Sequence, residues 1–329
     1  MGGQRMRRAC LLLVLLLGIS FLTGCFDYRG VSEQTMVSGI AVDADEAGIS
    51  LTLELVDIQN AEDGRFGSIV LTTTGATFAE ALHEATVKLH GEVYLGTLQV
   101  VILSQEIGSA GILPVVEYLI RDKQVRNSLP LVIAGADTAA ALLTPAEEAE
   151  QPRILSEKLS ESLRRRDTTQ KAPALHEIYD RLQRDTSGLA LPIVALSESP
   201  DIPFQLDGLA LFSRDRQIGT LPESDMPIYL LMTSALRDRA ISVEVSGERV
   251  VLLARSARPR RPTDRRVTAE VMGMSEFTPE RRAQIEEEAS GYLTRQVQAL
   301  YVRLQGEGFL VGRFAETTVQ VEICDQGRG

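Results

Sequence analysis

The sequence predicts an α+β fold: a mixed-sheet N-terminal domain with helices, then an antiparallel-sheet C-terminal domain with one long helix. Three observations carry this. In the first half, stretches of alternating apolar and polar residues are interleaved with stretches of helical spacing. Beyond residue 203 the chain reads as alternating strands joined by turns, one long helix and a returning strand. Of 329 residues, 44% are hydrophobic and 24% charged, which is enough apolar material for packed cores and too much for a disordered chain.

Taken in order, residues 36–42 form a buried strand and residues 45–48 a turn. Leu51, Leu53 and Leu55 alternate with Thr52 and Glu54 in a period-2 strand. Residues 59–66 read as a polar loop and 68–74 as a third strand. Thr77 followed by Glu80 is a capping box opening a helix that carries Phe78, Ala81, Leu82, Ala85 and Leu89 on one face and stops at Gly91. A strand comes next over 97–103, then one helix over 105–121 with Pro114 in its early part, then a strand over 129–134. Residues 139–184 read as helical, broken near Pro152 and Pro173. The Pro-, Ser- and acid-containing stretch 197–203 marks the domain boundary. Further strands are expected over 206–212, 241–245, 250–254 and 267–272. Thr278 caps a long helix with Pro279 in its first turn, whose inward face is Ile285, Ala289, Tyr292, Gln296, Leu300 and Leu304. Gly306 stops it, and Val319, Val321 and Ile323 alternate in a last strand.

The N-terminus sets the compartment. Arg5, Arg7 and Arg8 precede an uncharged, mostly apolar run of 18 residues, 9–26. This is the pattern of a signal peptide, and an uncleaved membrane anchor is the alternative. The run ends in Leu22-Thr23-Gly24-Cys25, which resembles the bacterial lipoprotein box: small residues admit the peptidase, and the thiol carries diacylglycerol. The expected organisation is a signal peptide over 1–24, a lipid anchor and tether over 25–35, an N-terminal domain over 36–198, a linker over 199–203 and a C-terminal domain over 204–329. Either reading of the leader places the remainder outside the cytoplasmic membrane.

Charge and motifs narrow the function classes. The formal net charge of −11 disfavours a general nucleic-acid binder, because a phosphate backbone repels an acidic surface. The three cysteines, Cys10, Cys25 and Cys324, offer neither a CxxC pair nor zinc spacing. Of the three histidines, His83 and His90 lie seven apart, whereas two ligands on one helix face usually lie four apart. No phosphate-binding loop and no GxSxG is present. The reading is therefore no catalytic residue, no metal and no cofactor. One feature departs from the acidic background: Arg255, Arg258, Arg260, Arg261, Arg265 and Arg266 fall within twelve residues, interleaved with Pro259 and Pro262. They read as a solvated, Pro-stiffened loop between two strands, or as a contact for anionic lipid headgroups or an acidic partner. Cys324 reads as an inert thiol at a strand end.

With these segments in place, the chain resembles the C-subunit lipoproteins of spore nutrient germinant receptors, the Ger(x)C family of GerAC, GerBC and GerKC type. The resemblance rests on the order of several stretches: Cys25-Phe26-Asp27-Tyr28-Arg29 behind the lipobox, Val37-Ser38-Gly39-Ile40-Ala41-Val42-Asp43, Thr77-Phe78-Ala79-Glu80-Ala81 and Leu95-Gly96-Thr97-Leu98-Gln99-Val100-Val101. Asp207-Gly208-Leu209-Ala210-Leu211-Phe212 continues it in the second half. The chain departs from the family pattern at Phe26, where Trp is usual, at Thr97, where His is frequent, and in a shortened stretch after Gly306. The resemblance implies a lipoprotein on the outer face of the spore inner membrane, assembled with two integral-membrane subunits of A and B type, and without established catalytic residues. The competing readings are an extracytoplasmic solute-binding lipoprotein of a transporter and a cell-envelope hydrolase. The lipobox generates a direct test: Cys25→Ala should leave an unprocessed precursor and abolish acyl labelling, and equal labelling of the variant would refute lipidation at this thiol.

Overall fold

A computed structural model describes residues 34–324 apart from 63–64, 90, 136–137, 146–153, 166–171, 185–187, 198–202, 234–235, 237, 262–263, 274–277 and 310–316. For 34, 58–62, 65, 165, 258–261 and 264 it describes the backbone alone. Cys25 and the leader lie outside these residues.

The chain opens as a meander of β1 (Gln34–Asp45), β2 (Gly48–Glu62) and β3 (Arg65–Gly75). The polar stretch 59–66 is not a free loop: Glu62 pairs with Arg65 across a continued β2–β3 hairpin. Backbone pairing does not depend on side-chain polarity, so a polar run at a hairpin end reads as loop when it is strand. Thr77 accepts from the Glu80 N–H at 3.2 Å to open α1 (Phe78–Leu89). The Glu80 carboxylate reaches back to the Ala76 N–H at 3.0 Å, one residue before the expected partner.

Next come β4 (Glu92–Tyr94) and β5 (Val100–Leu103), both parallel to β1. The single helix expected over 105–121 is two, α2 (Gln105–Ala110) and α3 (Leu113–Arg121). Gly111, at φ 129°, sits in a region closed to most side chains and breaks the run, and Pro114 stands in the first turn of α3. The chain continues through parallel β6 (Leu131–Ala134), α4 (Leu155–Arg165), α5 (Leu175–Gln183) and β7 (Leu189–Leu196). Antiparallel β8 (Phe204–Ser213) and β9 (Arg216–Leu221) complete a nine-stranded sheet of order β3-β2-β1-β5-β6-β7-β8-β9, with β4 beside β1.

The boundary expected at 199–203 therefore separates no sheets. It connects β7 to β8, which are hydrogen-bonded neighbours from Leu189↔Phe212 to Leu196↔Phe204. Pro and Ser mark where a chain turns, and a hairpin needs a turn as much as a linker does. The second sheet starts beyond α6 (Met226–Met232), with β10 (Arg239–Val245), β11 (Glu248–Arg261) and β12 (Asp264–Val271) antiparallel. The long helix α7 (Pro279–Gly306), capped by Thr278, then returns the chain to β13 (Thr318–Ile323), which runs parallel to β12. The buried face of α7 is Ile285, Ala289, Leu293, Val297, Leu300, Tyr301 and Leu304. It is rotated from the expected stripe, and Gln296 is exposed. No helix among the described residues is long and apolar enough to cross a membrane.

Three apolar cores result from strand alternation. On one face of the large sheet, Ile40, Val42, Leu51, Leu53, Val101 and Leu103 meet α1, α3 and α5. On the other, Ala41, Val100, Ile102 and Val132 meet Leu159 and Leu163 of α4. With helices on both faces, β5 and β6 are buried on both sides, which is why they read as unbroken apolar runs. The third core lies between the second sheet and α7. β8 divides its residues among all three cores: Ala210 and Phe212 enter the first, Phe204 and Leu206 the second, Leu209 and Leu211 the third.

Two acids tie the crossing segment to the sheet. Glu54, fully buried on β2, accepts from the Leu155 N–H (2.6 Å), the Ser156 N–H (2.9 Å) and the Ser38 hydroxyl (3.0 Å). The partners on α4 are 101 and 102 residues away, and the carboxylate fills the role of a helix N-cap from outside the helix. The approach is close enough that a Cβ at Gly39 would stand 2.6 Å from Ser156 Cβ. Asp43, also buried, accepts from the Ala139 and Ala140 N–H groups at 2.6 and 2.9 Å. Burial pushes its carboxyl above the ordinary range, the two N–H groups oppose this, and nearby Glu106 adds to it. Glu54→Ala leaves the Leu155 and Ser156 N–H groups without their carboxylate, while the Ser38 hydroxyl keeps the residue-54 carbonyl at 3.0 Å; it should lower stability by about 2 kcal/mol, read from a urea midpoint, with Glu54→Gln showing a smaller loss. An unchanged midpoint would show that α4 is held by packing alone.

Candidate functional site

The arginine cluster is not a loop. Its residues lie on β11 and β12, a hairpin in which Arg258 faces Arg266 in register and Arg261 faces Asp264. Pro259 is tolerated because the pairing shifts beside it, between Pro259 and Arg261. The three arginines whose side chains are described, Arg255, Arg265 and Arg266, sit in different environments. Arg255 is exposed and grips Glu270 with two N–H groups at 2.9 and 2.8 Å, with Asp238 on its remaining arm at 3.1 Å. The same contacts raise the Arg255 pKa and hold the Glu270 carboxyl below its ordinary range. Arg266 pairs with Glu322 of β13 at 3.2 Å.

Arg265 is 4% exposed and donates Nε and a terminal N–H to the Met232 carbonyl, the last of α6. It is a pillar between β12 and α6, so it offers nothing to lipid or a partner. Its apparent membership of a surface patch is a sequence effect: alternation sends one of two adjacent arginines inward. Arg258, Arg260 and Arg261 occupy the β11 end of the hairpin, where the backbone alone is described.

A cleft of about 190 Å³ lies between α6 and α7, lined by Asp225, Ile228, Gln296, Ala299, Leu300 and Arg303. Arg303 closes on Asp225 at 2.6 Å, so the two charges neutralise each other there. These lining residues include no nucleophile beside a base. His83 is exposed, His176 Nδ1 lies 2.9 Å from the Asn127 carbonyl, and His90 is outside the described residues. No group of three His, Cys, Asp or Glu that could hold a metal occurs among the described residues. Cys324 is half-buried at the end of β13, and its N–H donates to the Ala269 carbonyl.

With this geometry in view, comparison with known proteins identifies the chain's relatives. The family model described as "Spore germination protein N-terminal domain" matches residues 27–196, more than half of the chain. The chain belongs to this family. The matched region ends at β7, so β8 and β9 complete the family domain's sheet from outside it. The chain is similar to "Spore germination protein KC" of Bacillus subtilis (strain 168), 25% identical over 64% of this chain and 58% of that one. It is similar to "Spore germination protein GerQC" of Bacillus cereus, 25% identical over 72% and 64% respectively. A third relative, "Putative spore germination protein YfkR" of Bacillus subtilis (strain 168), is 22% identical over 85% and 75%. The chain thus spans less than two thirds of the length of the first two. The crystal structure of the GerBC protein superposes with a TM-score of 0.47 at 15% identity, covering 87% of this chain and 95% of that one.

The sequence offers no signal for Glu54, Asp43 or the inward Arg265: each is one of many charged residues, and only tertiary contact distinguishes it. The placement of Arg265 is open to test. Arg265→Ala should destabilise the protein by about 3 kcal/mol, because the Met232 carbonyl stays buried after losing its donors. Arg255→Ala should shift a urea midpoint less, and the reverse order would refute the assignment of Arg265 as the structural arginine.

Proposed function

We propose that the chain is a lipid-anchored, non-catalytic subunit of a spore nutrient germinant receptor. Cys25 tethers it to the outer face of the cytoplasmic membrane, the spore inner membrane. It assembles there with integral-membrane subunits of A and B type. The observation that carries the reading is the family match over residues 27–196, and the relatives named as spore germination proteins KC and GerQC support it. The chemistry of the polar groups is consistent with a scaffold: Glu54 and Asp43 are spent on backbone N–H groups, and Arg255 and Arg303 on neighbouring carboxylates. The nine-stranded and four-stranded sheets differ in topology, which disfavours the two similar lobes of a transporter's solute-binding lipoprotein. The end of the β11–β12 hairpin that carries Arg258, Arg260 and Arg261 is the place proposed for contact with anionic headgroups or an acidic partner. Deleting the gene should block nutrient-triggered germination and spare vegetative growth, scored as loss of spore optical density after nutrient addition. Normal response of the deletion spores to every nutrient, with no paralogue present, would overturn the reading.

A further inference from the structure

β3 is the outermost strand of the large sheet, with no described strand on its far side. Its inner side pairs with β2 through nine consecutive residues, Asp57↔Gly67 to Ile49↔Gly75, without a register shift. The outer side of so regular a strand presents a row of backbone N–H and C=O groups at ladder spacing. Proteins guard such edges with charge, Pro or a bulge. The other strands that end a sheet carry charge: Arg216 on β9, Arg239 and Glu244 on β10, and Glu322 on β13. β9 also lies against α2, where a Cβ on Gly108 would stand 2.6 Å from the Gln217 side-chain oxygen. β3 has none of these guards. From Phe66 to Ala79 the chain contains no charged residue and no Pro, and the ladder over 67–75 holds no bulge.

The exposed side chains of β3 form no single patch. Ile69 and Leu71 share a face with Leu55 and Leu53, whereas Val70 and Thr72 share the opposite face with Glu54 and Thr52. What the strand offers is therefore its backbone edge, flanked by Ile, Val and Thr side chains that suit a further strand.

Charge selects the occupant. The chain has a formal net charge of −11, so two copies repel over most of their surfaces. Along residues 66–75 there is no charge to repel. The segment is also complementary to itself when antiparallel, since no like charges come to stand opposite one another. A two-fold axis normal to the sheet keeps each side chain on its own face. Val70 then meets Val70 or Thr72, and Leu71 meets Ile69 or Leu71. We propose that β3 pairs antiparallel with β3 of a second copy of this chain, about a two-fold axis near Val70 and Leu71, and so joins two nine-stranded sheets into one. The pairing does not depend on the receptor role or on the anchor.

The full-length protein in a non-ionic detergent, resolved by size exclusion with light scattering over a range of concentrations, should show a monomer–dimer equilibrium. With the axis through Val70 the two Ile69 side chains are diagonal neighbours, and with the axis through Leu71 the two Thr72 side chains are, about 7–8 Å apart. Ile69→Lys or Thr72→Lys should therefore weaken dimerisation about tenfold. Mixing that Lys variant with the Glu variant at the same position should restore the dimer. The mixture also controls for folding, because Thr72 meets the Thr52 hydroxyl at 3.1 Å and misfolded chains would not rescue one another. A monomer at every concentration overturns the proposal. So does a dimer that neither Lys variant weakens, because its interface lies elsewhere. An effect of the Lys variants that appears only with co-purified membrane subunits would make a segment of those subunits the partner of β3, and would overturn the assignment to a second copy.

Discussion

Glu54, fully buried, takes two N–H groups from the start of α4 and a hydroxyl from Ser38. A helix packed on a sheet presents orphan N–H groups at its first turn, and burying them without partners costs about 1–3 kcal/mol each. Glu54 supplies the partner from the sheet itself. Once α4 is docked, Ala41, Val100, Ile102 and Val132 have a surface to pack against, and the sheet is covered on both faces. Asp43 does the same for the turn of helix at Ala140–Leu142. The parallel strands in the middle of the sheet are only possible because this second layer exists, since parallel strands rarely leave a face in water.

The second constraint is the sharing of β8. Its residues enter all three cores, and Arg265 adds a polar link from β12 to the carbonyl that ends α6. The four-stranded sheet and the nine-stranded sheet are thus joined through a strand that both need. The relation is closer than two domains on a linker, and its cause is the ordinary period-2 geometry of a strand with apolar residues on both faces.

Much of this is legible in the residues. The first meander, the Thr77 and Thr278 caps and the returning strand Thr318–Ile323 can be read from period and capping chemistry, which act locally. The features that escape such a reading are set by distant contacts. β7 is hidden because Leu189–Leu196 is a short apolar run interrupted by Pro192, which a register shift accommodates. β9 and α6 are hidden because Arg216–Leu221 alternates weakly and Met226–Met232 is too short to show a period. The arginines carry their charge in the sequence but not their direction, and a hairpin turns one of them into a core residue. The role proposed for Cys25 rests on local chemistry alone.

The sharing of β8 also separates the unit of inheritance from the unit of folding. The family region closes at β7, yet a fragment cut there would leave β7 as a raw edge with Leu191 and Val194 uncovered. Residues 204–221 thus belong to the folding unit of the large sheet although they lie outside the matched region.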